Sequence, residues 1–346
     1  MTSEARPLLS ICIPTFNRAA LLDVCLASLL PQTEHWPELV EVIVSDNAST
    51  DNTPAVLDKY AERFHFRRHR NAENIGLLGN ITFVPSGLAQ GEFAWLLGDD
   101  DLLAAGAVDQ VLAMLHSEPD IDLLALNVGY YAFADRPTAQ QAQGGIGEAP
   151  ATQLRSRRLH GRQPFAALLE GPCADFTAMY ACVLRRRWWT EEFPEPISGA
   201  AFISVRTSYP VAYLIAKYLT DKPAAALRAP LVCIYAMPAE QFSWAAFHPL
   251  TVVLRATELL KLFESQGVPR SVLEPYYMYQ LNNRGSDLGN LIWDRRSKGG
   301  WRAAARFAWL LRRYPLRLLK VFIVACGHPH SPALLRLPVQ WRLKSK

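Results

Sequence analysis

The stretch Phe93-Ala94-Trp95-Leu96-Leu97-Gly98-Asp99-Asp100-Asp101 joins an apolar run to three consecutive carboxylates. An apolar run of this length is typical of a buried strand. Adjacent like charges repel, and their burial is costly unless a cation or hydrogen-bond donors compensate it. Asp99, Asp100 and Asp101 therefore predict one of two structures. The first is a divalent metal site, whose hard oxygen ligands suit Mg²⁺ or Mn²⁺; the second is a solvated loop whose last Asp caps the next helix.

Short apolar runs alternate with helical patterns along the first part of the chain. The strands that this alternation predicts are 8–14, 40–44, 66–69, 93–97 and 121–127. The pattern indicates an α/β domain with right-handed βαβ connections. Such sheets bind ligands at the carboxyl ends of their strands. Because the polar clusters at 14–18, 45–53 and 98–101 each follow a strand, we expect them to converge on one crevice.

Four motifs in this region carry a resemblance to a known family. They are Pro14-Thr15-Phe16-Asn17-Arg18, Val44 to Asp51, Asn74-Ile75-Gly76 with Asn80, and Gly91 to Asp101. Their order and spacing over residues 8–130 resemble the family-2 inverting glycosyltransferases. The resemblance implies a GT-A fold, which is a Rossmann-like, mostly parallel sheet flanked by helices. The loop Ser45-Asp46-Asn47 and the acidic triplet are most similar to the O-antigen and capsule branch, which includes abequosyltransferase-like enzymes.

The resemblance implies a nucleotide-diphosphate-sugar donor and assigns residues to it. Asp46 would accept a hydrogen bond from the donor base, and Thr15 and Asn17 would line the pocket of the base and ribose. Arg18 would contact phosphate or pair with a nearby carboxylate; both alternatives stay open. The segment Ser49-Thr50-Asp51 is interpreted as a turn and capping device rather than a ligand contact.

Two asparagines and the acidic triplet complete the implied donor site. Asn74 and Asn80 would make polar contacts near the nucleotide, and helix capping is the alternative for Asn80. In the family, the first carboxylate of an Asp-x-Asp pattern holds ribose and the last holds the metal. Alignment of the flanking apolar residues puts Asp100 at the metal position, whereas the triplet by itself puts Asp99 and Asp101 at the two positions. All three therefore stay candidates for binding Mg²⁺ or Mn²⁺, and Asp99 also for binding the nucleotide-sugar.

Inversion requires a general base that takes the proton of the acceptor hydroxyl. Relatives often carry this base as an acidic residue well after the metal motif, but here no Asp or Glu lies between Glu195 and Asp221. The nearest candidates are Glu191, Glu192 and Asp175. The alternative for both glutamates is an ordinary surface charge.

Two regions are expected along the chain. Residues 1–245 would form the GT-A glycosyltransferase domain, with a nucleotide-binding half at 8–130 and an acceptor-side half at 131–245. Within that second half, residues 135–163 have little periodicity and predict a mobile loop over the crevice. Residues 246–346 show helical patterns and would form a basic C-terminal region.

The positive charge of the chain is concentrated in its last part. The formal charge is +4 overall, yet the segment Arg295–Lys346 contains 13 Lys and Arg and no acidic residue, which leaves −9 for residues 1–294. A segregated basic segment indicates an anionic partner, either a membrane surface or a nucleic acid. Arg302, Arg306 and Arg313 share a helical face with Trp309, which favours a membrane surface. Packing of these helices against the catalytic domain is the alternative.

The location expected from the sequence is the cytoplasm, with peripheral binding to the inner face of the cell membrane. The N-terminal residues lack the basic and apolar regions of a signal peptide. No segment has the roughly 18 consecutive apolar residues that span a bilayer. The six cysteines show no metal-binding spacing and predict small buried side chains in a reducing compartment.

The leading hypothesis is a metal-assisted, inverting glycosyltransferase that moves a sugar from a nucleotide-diphosphate-sugar to a lipid-linked or other surface glycan. One alternative is a sugar nucleotidyltransferase of similar fold, but the loop Pro14–Arg18 lacks the glycines that a phosphate loop of that kind needs. The other is a non-catalytic protein that binds nucleic acid or other anions through the basic tail. That alternative leaves the acidic triplet unexplained, so no nucleic-acid partner is expected.

Overall fold

The computed structural model describes residues 6–147, 153–155 (backbone only), 159–169, 177–198, 201–236 and 245–331. The chain divides into two compact units. The first unit comprises Met1–Ala201 and Pro210–Ala236, and the second comprises Phe202–Tyr209 and Met237–Lys346.

The first unit contains one mixed sheet. Its strands are β1 (Leu9–Thr15), β2 (Val40–Asp46), β3 (Arg67–Arg70), β4 (Phe93–Leu96), β5 (Leu102–Leu103), β6 (Leu123–Ala132), β7 (Gln153–Arg155), β8 (Gly161–Gln163), β9 (Cys182–Arg185) and β10 (Ala224–Ala236). The spatial order is β3-β2-β1-β4-β9-β6-β10-β5, with β7 beside β6 and β8 beside β10. Strands β3, β2, β1 and β4 are mutually parallel, whereas β9 runs antiparallel to both β4 and β6.

The helices of the first unit connect or flank these strands. They are α1 (Ala19–Thr33), α2 (Thr53–Ala61), α3 (Leu77–Phe83), α4 (Ala107–Ser117), α5 (Phe165–Leu168), α6 (Arg187–Glu192) and α7 (Pro210–Tyr218). Strand β1 is apolar along almost its whole length because helices cover both faces of a parallel sheet, and Leu9, Ile11 and Ile13 are fully buried. The apolar positions of α1 and α4 pack into the same core.

The predicted strands and helices of residues 8–130 are present. Pro85 is accommodated because α3 ends at Phe83 and passes into one π-helical turn, Val84–Leu88. Residues 135–163, expected to be a mobile loop or an insertion over the crevice, contain two short strands that belong to the sheet. Gln153–Arg155 pairs with β6, and Gly161–Gln163 pairs with β10. In the first unit Cys12, Cys25, Cys182 and Cys233 are buried, as expected.

The second unit is helical in its described part. Its helices are α8 (His248–Leu250), α9 (Ala256–Ser265), α10 (Arg270–Asn283), α11 (Gly285–Trp293), α12 (Gly300–Leu310) and α13 (Pro315–Cys326), and a π-helical turn at Thr251–Arg255 joins α8 to α9. Helices α10 and α11 follow one another directly and are separated by a break at Arg284. No helix within the described ranges is both long and apolar enough to cross a membrane.

Candidate functional site

Three polar clusters meet at one edge of the sheet. Strand β1 lies between β2 and β4, and all three are parallel, so their carboxyl ends share an edge. Thr15 and Asp46 are register partners at the ends of β1 and β2. The Oγ1 atom of Thr15 donates a hydrogen bond to Oδ2 of Asp99 at 2.7 Å, which connects the first cluster to the triplet. The predicted convergence is therefore present.

Arg18 binds two carboxylates of the triplet. Its Nη1 lies 2.7 Å from Oδ1 of Asp99, and its Nη2 lies 2.7 Å from Oδ2 of Asp100. The Asp99 side chain is 3% exposed, whereas those of Arg18 and Asp100 are 33% and 27% exposed. Of the two alternatives for Arg18, pairing with a carboxylate is the one that this structure contains. A planar guanidinium suits this two-pronged contact, which a lysine could not reproduce.

A tight turn gives the three carboxylates different surroundings. Oδ2 of Asp101 accepts a hydrogen bond from the backbone N–H of Gly98 at 2.8 Å, so this carboxyl group is turned back into the protein. A Cβ atom at Gly98 would lie 2.7 Å from Asp101 Oδ2 and 2.9 Å from Asp100 Oδ1, so any larger residue there would displace one or both carboxylates. Asp99 and Asp101 are buried, and the carboxylate left nearest to solvent is Asp100.

Burial changes the ionisation of the triplet. It raises the pKa of Asp99 to about 7, although the charge of Arg18 and the Thr15 hydrogen bond oppose that rise. Burial and the neighbouring charge of Asp100 also raise the pKa of Asp101 well above its ordinary value. A cation beside Asp99 and Asp101 favours their charged forms and therefore opposes both shifts.

Asp46 is held in a fixed orientation at the end of β2. Its side chain is buried, and Oδ1 accepts a hydrogen bond from the backbone N–H of Ser49 at 2.8 Å. Oδ2 pairs with Nη1 of Arg70, whose Nη2 donates to the Ser49 carbonyl at 2.9 Å. An ionised carboxylate has about four acceptor positions, so Asp46 retains capacity for a further donor. Sequence reasoning missed Arg70, whose only signal was its place at the end of β3.

The loops after β1 and β2 are tied together by Asn17. Its Oδ1 accepts a hydrogen bond from Thr50 N at 2.7 Å, and its own N–H donates to Ser49 Oγ at 2.9 Å. The φ angle of Asn17 is 53°, in the left-handed region that asparagine tolerates better than most residues. Asp51 accepts hydrogen bonds from Ala19 N and Thr53 N, both at 3.0 Å. It therefore supports the first turns of α1 and α2, in agreement with the capping interpretation.

The two asparagines assigned to the nucleotide, the exposed Asn74 and the buried Asn80, belong to hydrogen-bond networks around the loop that follows β2. Oδ1 of Asn74 accepts from Asn47 Nδ2 and Gly76 N, both at 2.8 Å. Asn80 is 2% exposed; its Oδ1 accepts from Ser45 Oγ at 2.6 Å, and its Nδ2 donates to the Ser45 carbonyl at 2.9 Å. Asn80 lies inside α3, so the helix-capping alternative was wrong. These bonds hold the loop after β2, and the nucleotide contacts of Asn74 and Asn80 stay predictions.

Arg136 is a second arginine at the triplet, and sequence reasoning missed it. Strand β6 is parallel to β4 because both are antiparallel to β9, so its carboxyl end lies at the same edge. Arg136 follows that end, and its Nη1 donates to the backbone carbonyl of Asp100 at 2.8 Å. Its Nε is buried and finds no hydrogen-bond partner among the described residues. A buried donor without a partner at this edge indicates a place for an additional acceptor.

The predicted base residues Glu191 and Glu192 do not join the site. Phe93, the first residue of β4, pairs with Arg185, the last residue of β9, so α6 begins at the edge opposite the triplet. Glu192 Oε2 accepts hydrogen bonds from Lys217 Nζ at 2.6 Å and Tyr218 OH at 2.9 Å, which is a structural ion pair. Both assignments as the base are therefore corrected. Asp175, the third candidate, lies outside the described residues.

The carboxylates at this edge of the sheet suit a divalent cation that is also coordinated by a bound ligand. Asp99 and Asp100 already hold one guanidinium between them, so their oxygens can converge on one cation. Within the described residues no group of three or more His, Cys, Asp or Glu side chains could hold a metal ion by itself. Mg²⁺ is commonly bound by one or two carboxylates together with substrate phosphates. The donor set suits that arrangement and not a closed structural site.

This edge, with buried carboxylates and arginines at the ends of parallel strands, defines a ligand site of the nucleotide-binding α/β class. The family model described as Glycosyl transferase family 2 matches residues 10–188. That match covers more than half of the chain, so the chain belongs to glycosyl transferase family 2. The resemblance seen in the sequence is therefore confirmed.

Two curated relatives each match about a third of the chain. The abequosyltransferase RfbV of Salmonella typhimurium is 37% identical over 118 residues, which are 34% of this chain and 35% of that protein. A GalNAc(5)-diNAcBac-PP-undecaprenol beta-1,3-glucosyltransferase of Campylobacter jejuni is 38% identical over 111 residues, 31% of this chain and 34% of that protein. The chain thus matches about a third of the length of each of these relatives.

Solved structures share the fold. S. aureus TarS 1-349, in complex with UDP-GlcNAc, has a TM-score of 0.60 at 15% identity, covering 92% of this chain and 90% of that one. The mannosyltransferase PcManGT from Pyrobaculum calidifontis, in complex with GDP-Man and Mn²⁺, has a TM-score of 0.53 at 15% identity, covering 93% and 87%. These neighbours are GT-A glycosyltransferases, so the predicted GT-A fold is confirmed.

Proposed function

We propose that this family-2 glycosyltransferase moves a sugar, with inversion, from a nucleotide-diphosphate-sugar to a lipid-linked or other surface glycan. The observation that carries the donor half of the proposal is the contact of Arg18 with both Asp99 and Asp100 beside the buried Asp46. It combines, at one sheet edge, a cationic group for phosphate, an acidic group for a metal and a carboxylate for the base.

The donor base and ribose are proposed to bind between the ends of β1 and β2. Asp46 is held by Ser49 N–H and Arg70, so its carboxylate needs no rearrangement to accept a hydrogen bond from the base. Thr15 and Asn17 border this position from the end of β1 and the loop that follows it.

Mg²⁺ or Mn²⁺ is proposed to bind at Asp100, with Asp99 beside it. When bound there, the cation would neutralise negative charge on the departing nucleoside diphosphate. Arg18 contacts the Asp100 carboxylate, and Arg136 donates to the Asp100 backbone carbonyl. With a cation bound to the carboxylates, the two guanidinium groups would be available to the phosphate oxygens of the donor. A neighbour of the same fold was solved with GDP-Man and Mn²⁺, which supports this assignment.

The acceptor half of the proposal rests on the name of one relative and on the positive charge of the C-terminal segment. A Campylobacter jejuni relative is named for an undecaprenol-diphosphate-linked substrate. The acceptor hydroxyl would attack the anomeric carbon as the bond to the diphosphate breaks, and its proton would pass to a base. Of the carboxylates predicted for that role, Asp175 stays a candidate. Peripheral binding at the cytoplasmic face of the membrane would bring such an acceptor to the site.

Thermal stabilisation by nucleotide-sugars tests the donor half. A panel of nucleoside diphosphates and nucleotide-sugars is added to the intact protein with and without Mn²⁺, and the midpoint of unfolding is measured. A ligand that binds the folded state raises that midpoint, and we expect one base to do so only with Mn²⁺. Asp46→Ala should abolish the rise, and the exposed Asp58→Ala should retain it. Equal stabilisation of wild type and Asp46→Ala would contradict the assignment.

A further inference from the structure

Helix α13 turns apolar side chains away from the body of the second unit. Val321 and Ala325 are buried, and Ala325 lies over Gly289 of α11. Helical periodicity places Leu316 and Leu319 on the opposite face, where they are 82% and 58% exposed. A helix of a soluble protein normally turns such residues inward. This apolar face is therefore available to a partner.

Helix α12, just before α13, exposes an aromatic side chain between cations. Phe307 and Leu310 are buried, whereas Trp309 is 53% exposed. The Cζ atoms of Arg306 and Arg312 lie 5.1 Å and 4.3 Å from the centre of the Trp309 ring. Tryptophan beside arginine is typical of segments that lie in the interface between water and lipid.

The charged side chains of α12, α13 and the turn between them are all positive, and two of them, Arg306 and Arg313, pair with Glu258 and Glu264 of α9. Arg312, Arg317 and Lys320 are exposed at the end of α12 and along α13. No acidic residue occurs anywhere from Arg295 to Lys346. A surface of this kind attracts anionic lipid headgroups electrostatically, while its leucines gain by entering the acyl region.

We propose that the α12–α13 corner, made of Trp309, Arg312, Leu316, Leu319 and Lys320, docks on an anionic bilayer surface. A nucleic acid would pair with the cations but would leave Leu316 and Leu319 exposed to water. A second copy of the corner would bring like charges together. A bilayer with anionic headgroups matches both the apolar and the charged part. The inference deepens the proposed function, because a lipid-linked acceptor lies at such a surface. It rests on the proposed function for the purpose of the docking and not for the docking itself.

Vesicle flotation of the full-length protein tests the inference. Vesicles of phosphatidylglycerol and phosphatidylcholine are compared with vesicles of phosphatidylcholine alone, in the absence of donor and acceptor. We expect binding to the anionic vesicles that weakens as salt is raised. The double variant Leu316→Glu with Leu319→Glu should lose at least about tenfold in partitioning, because two acidic side chains replace the apolar contact. Both positions are exposed, so the variant should fold.

Matched controls separate the corner from a general effect of charge. Ile203 is an exposed apolar residue elsewhere in the second unit, and Ile203→Glu should bind vesicles as the wild type does. Lys222→Ala, in the first unit, is the control for Arg312→Ala with Lys320→Ala, which should reduce binding and its dependence on salt. Trp309→Phe should remove most of the fluorescence quenching by brominated lipid, and Trp36→Phe should not.

Four results would overturn the inference. They are absence of binding to anionic vesicles, equal binding by the leucine double variant, a dimer in sedimentation velocity that this variant converts to monomers, and oligonucleotide binding that replaces vesicle binding. Donor binding is measured separately, in solution and without vesicles. A failure of the docking surface therefore leaves the donor assignment standing, and a failure of the donor assignment leaves the docking surface standing.

Discussion

The guanidinium of Arg18 lies 2.7 Å from Asp99 and occupies the oxygens that a divalent cation would use. Arg18→Ala leaves the buried Asp99 without its cation, so we expect a loss of about 1–3 kcal/mol in the free energy of unfolding. The same change leaves the Asp99 and Asp100 carboxylates without a bound guanidinium, so Mn²⁺ should bind to them more tightly in the absence of nucleotide. Electron paramagnetic resonance of free Mn²⁺ measures this affinity, and thermal unfolding measures the stability.

The matched control for Arg18 is Arg68→Ala. Arg68 pairs with Asp58 at the surface, and both side chains are well exposed, so its removal should change stability by less than about 0.5 kcal/mol. Weaker Mn²⁺ binding by a folded Arg18→Ala variant would show that Arg18 supports the cation and does not compete with it.

Asp100 and Asp101 should respond differently to the same substitution. The Asp100 carboxylate is partly exposed, whereas Asp101 is turned back onto Gly98 N–H and burial raises its pKa. Asp100→Asn should lower Mn²⁺-dependent nucleotide binding at least about tenfold, the loss of one charged ligand. Asp101→Asn should bind nearly as the wild type does, because a neutral amide oxygen can still accept from Gly98. Calorimetric titration of UDP and GDP with Mn²⁺ checks both, and the reverse order would assign the metal to Asp101.

Gly98→Ala should disturb the triplet through packing alone. The added Cβ would lie 2.7 Å from Asp101 Oδ2, closer than a real Cβ contact, so the Asp101 carboxylate must move from its place on the Gly98 N–H. We expect a loss of about 1–3 kcal/mol in stability, as for other overpacked sites, together with weaker Mn²⁺ binding. Gly147→Ala is the control, because a Cβ there meets nothing within 4 Å. Unchanged unfolding midpoints and Mn²⁺ affinity in Gly98→Ala would show that the turn is more open than described.

Sequence periodicity was sufficient to predict the sheet edge at the carboxyl ends of β1, β2 and β4, but not the contacts within it. The parallel strands β1, β2 and β4 were predictable because each is an apolar run followed by a polar cluster. The metal register of the triplet was not, because it depends on how Gly98 closes the turn with Asp101. Arg136 was not predictable either, because its contact with the triplet depends on strand order and not on spacing along the chain.

The error over Glu191 and Glu192 has a topological cause. Distance along the chain from the triplet was the only guide to their position, and it carries no information about strand direction. Strand β9 is short and antiparallel to β4, so it carries the chain to the opposite edge before α6 begins. A reversal of this kind arises from long-range pairing, which local periodicity does not record.

Glu264 should make the second unit sensitive to acid. Burial opposes its ionisation, but hydrogen bonds from Lys261, Arg313 and Tyr277 outweigh that effect and lower the pKa of Glu264 to about 2 from an ordinary 4.5. The folded-state pKa is below the unfolded one, so the stabilisation is complete above about pH 4.5 and is lost as the pH falls toward 2. Solvent screens these near-surface partners, so we expect about 1 kcal/mol. Glu264→Gln should therefore lower the unfolding midpoint at pH 7, and its difference from wild type should shrink at pH 3. The exposed Glu62→Gln controls for the lost charge, and an equal difference at both pH values would rule out the ionised Glu264 as the cause.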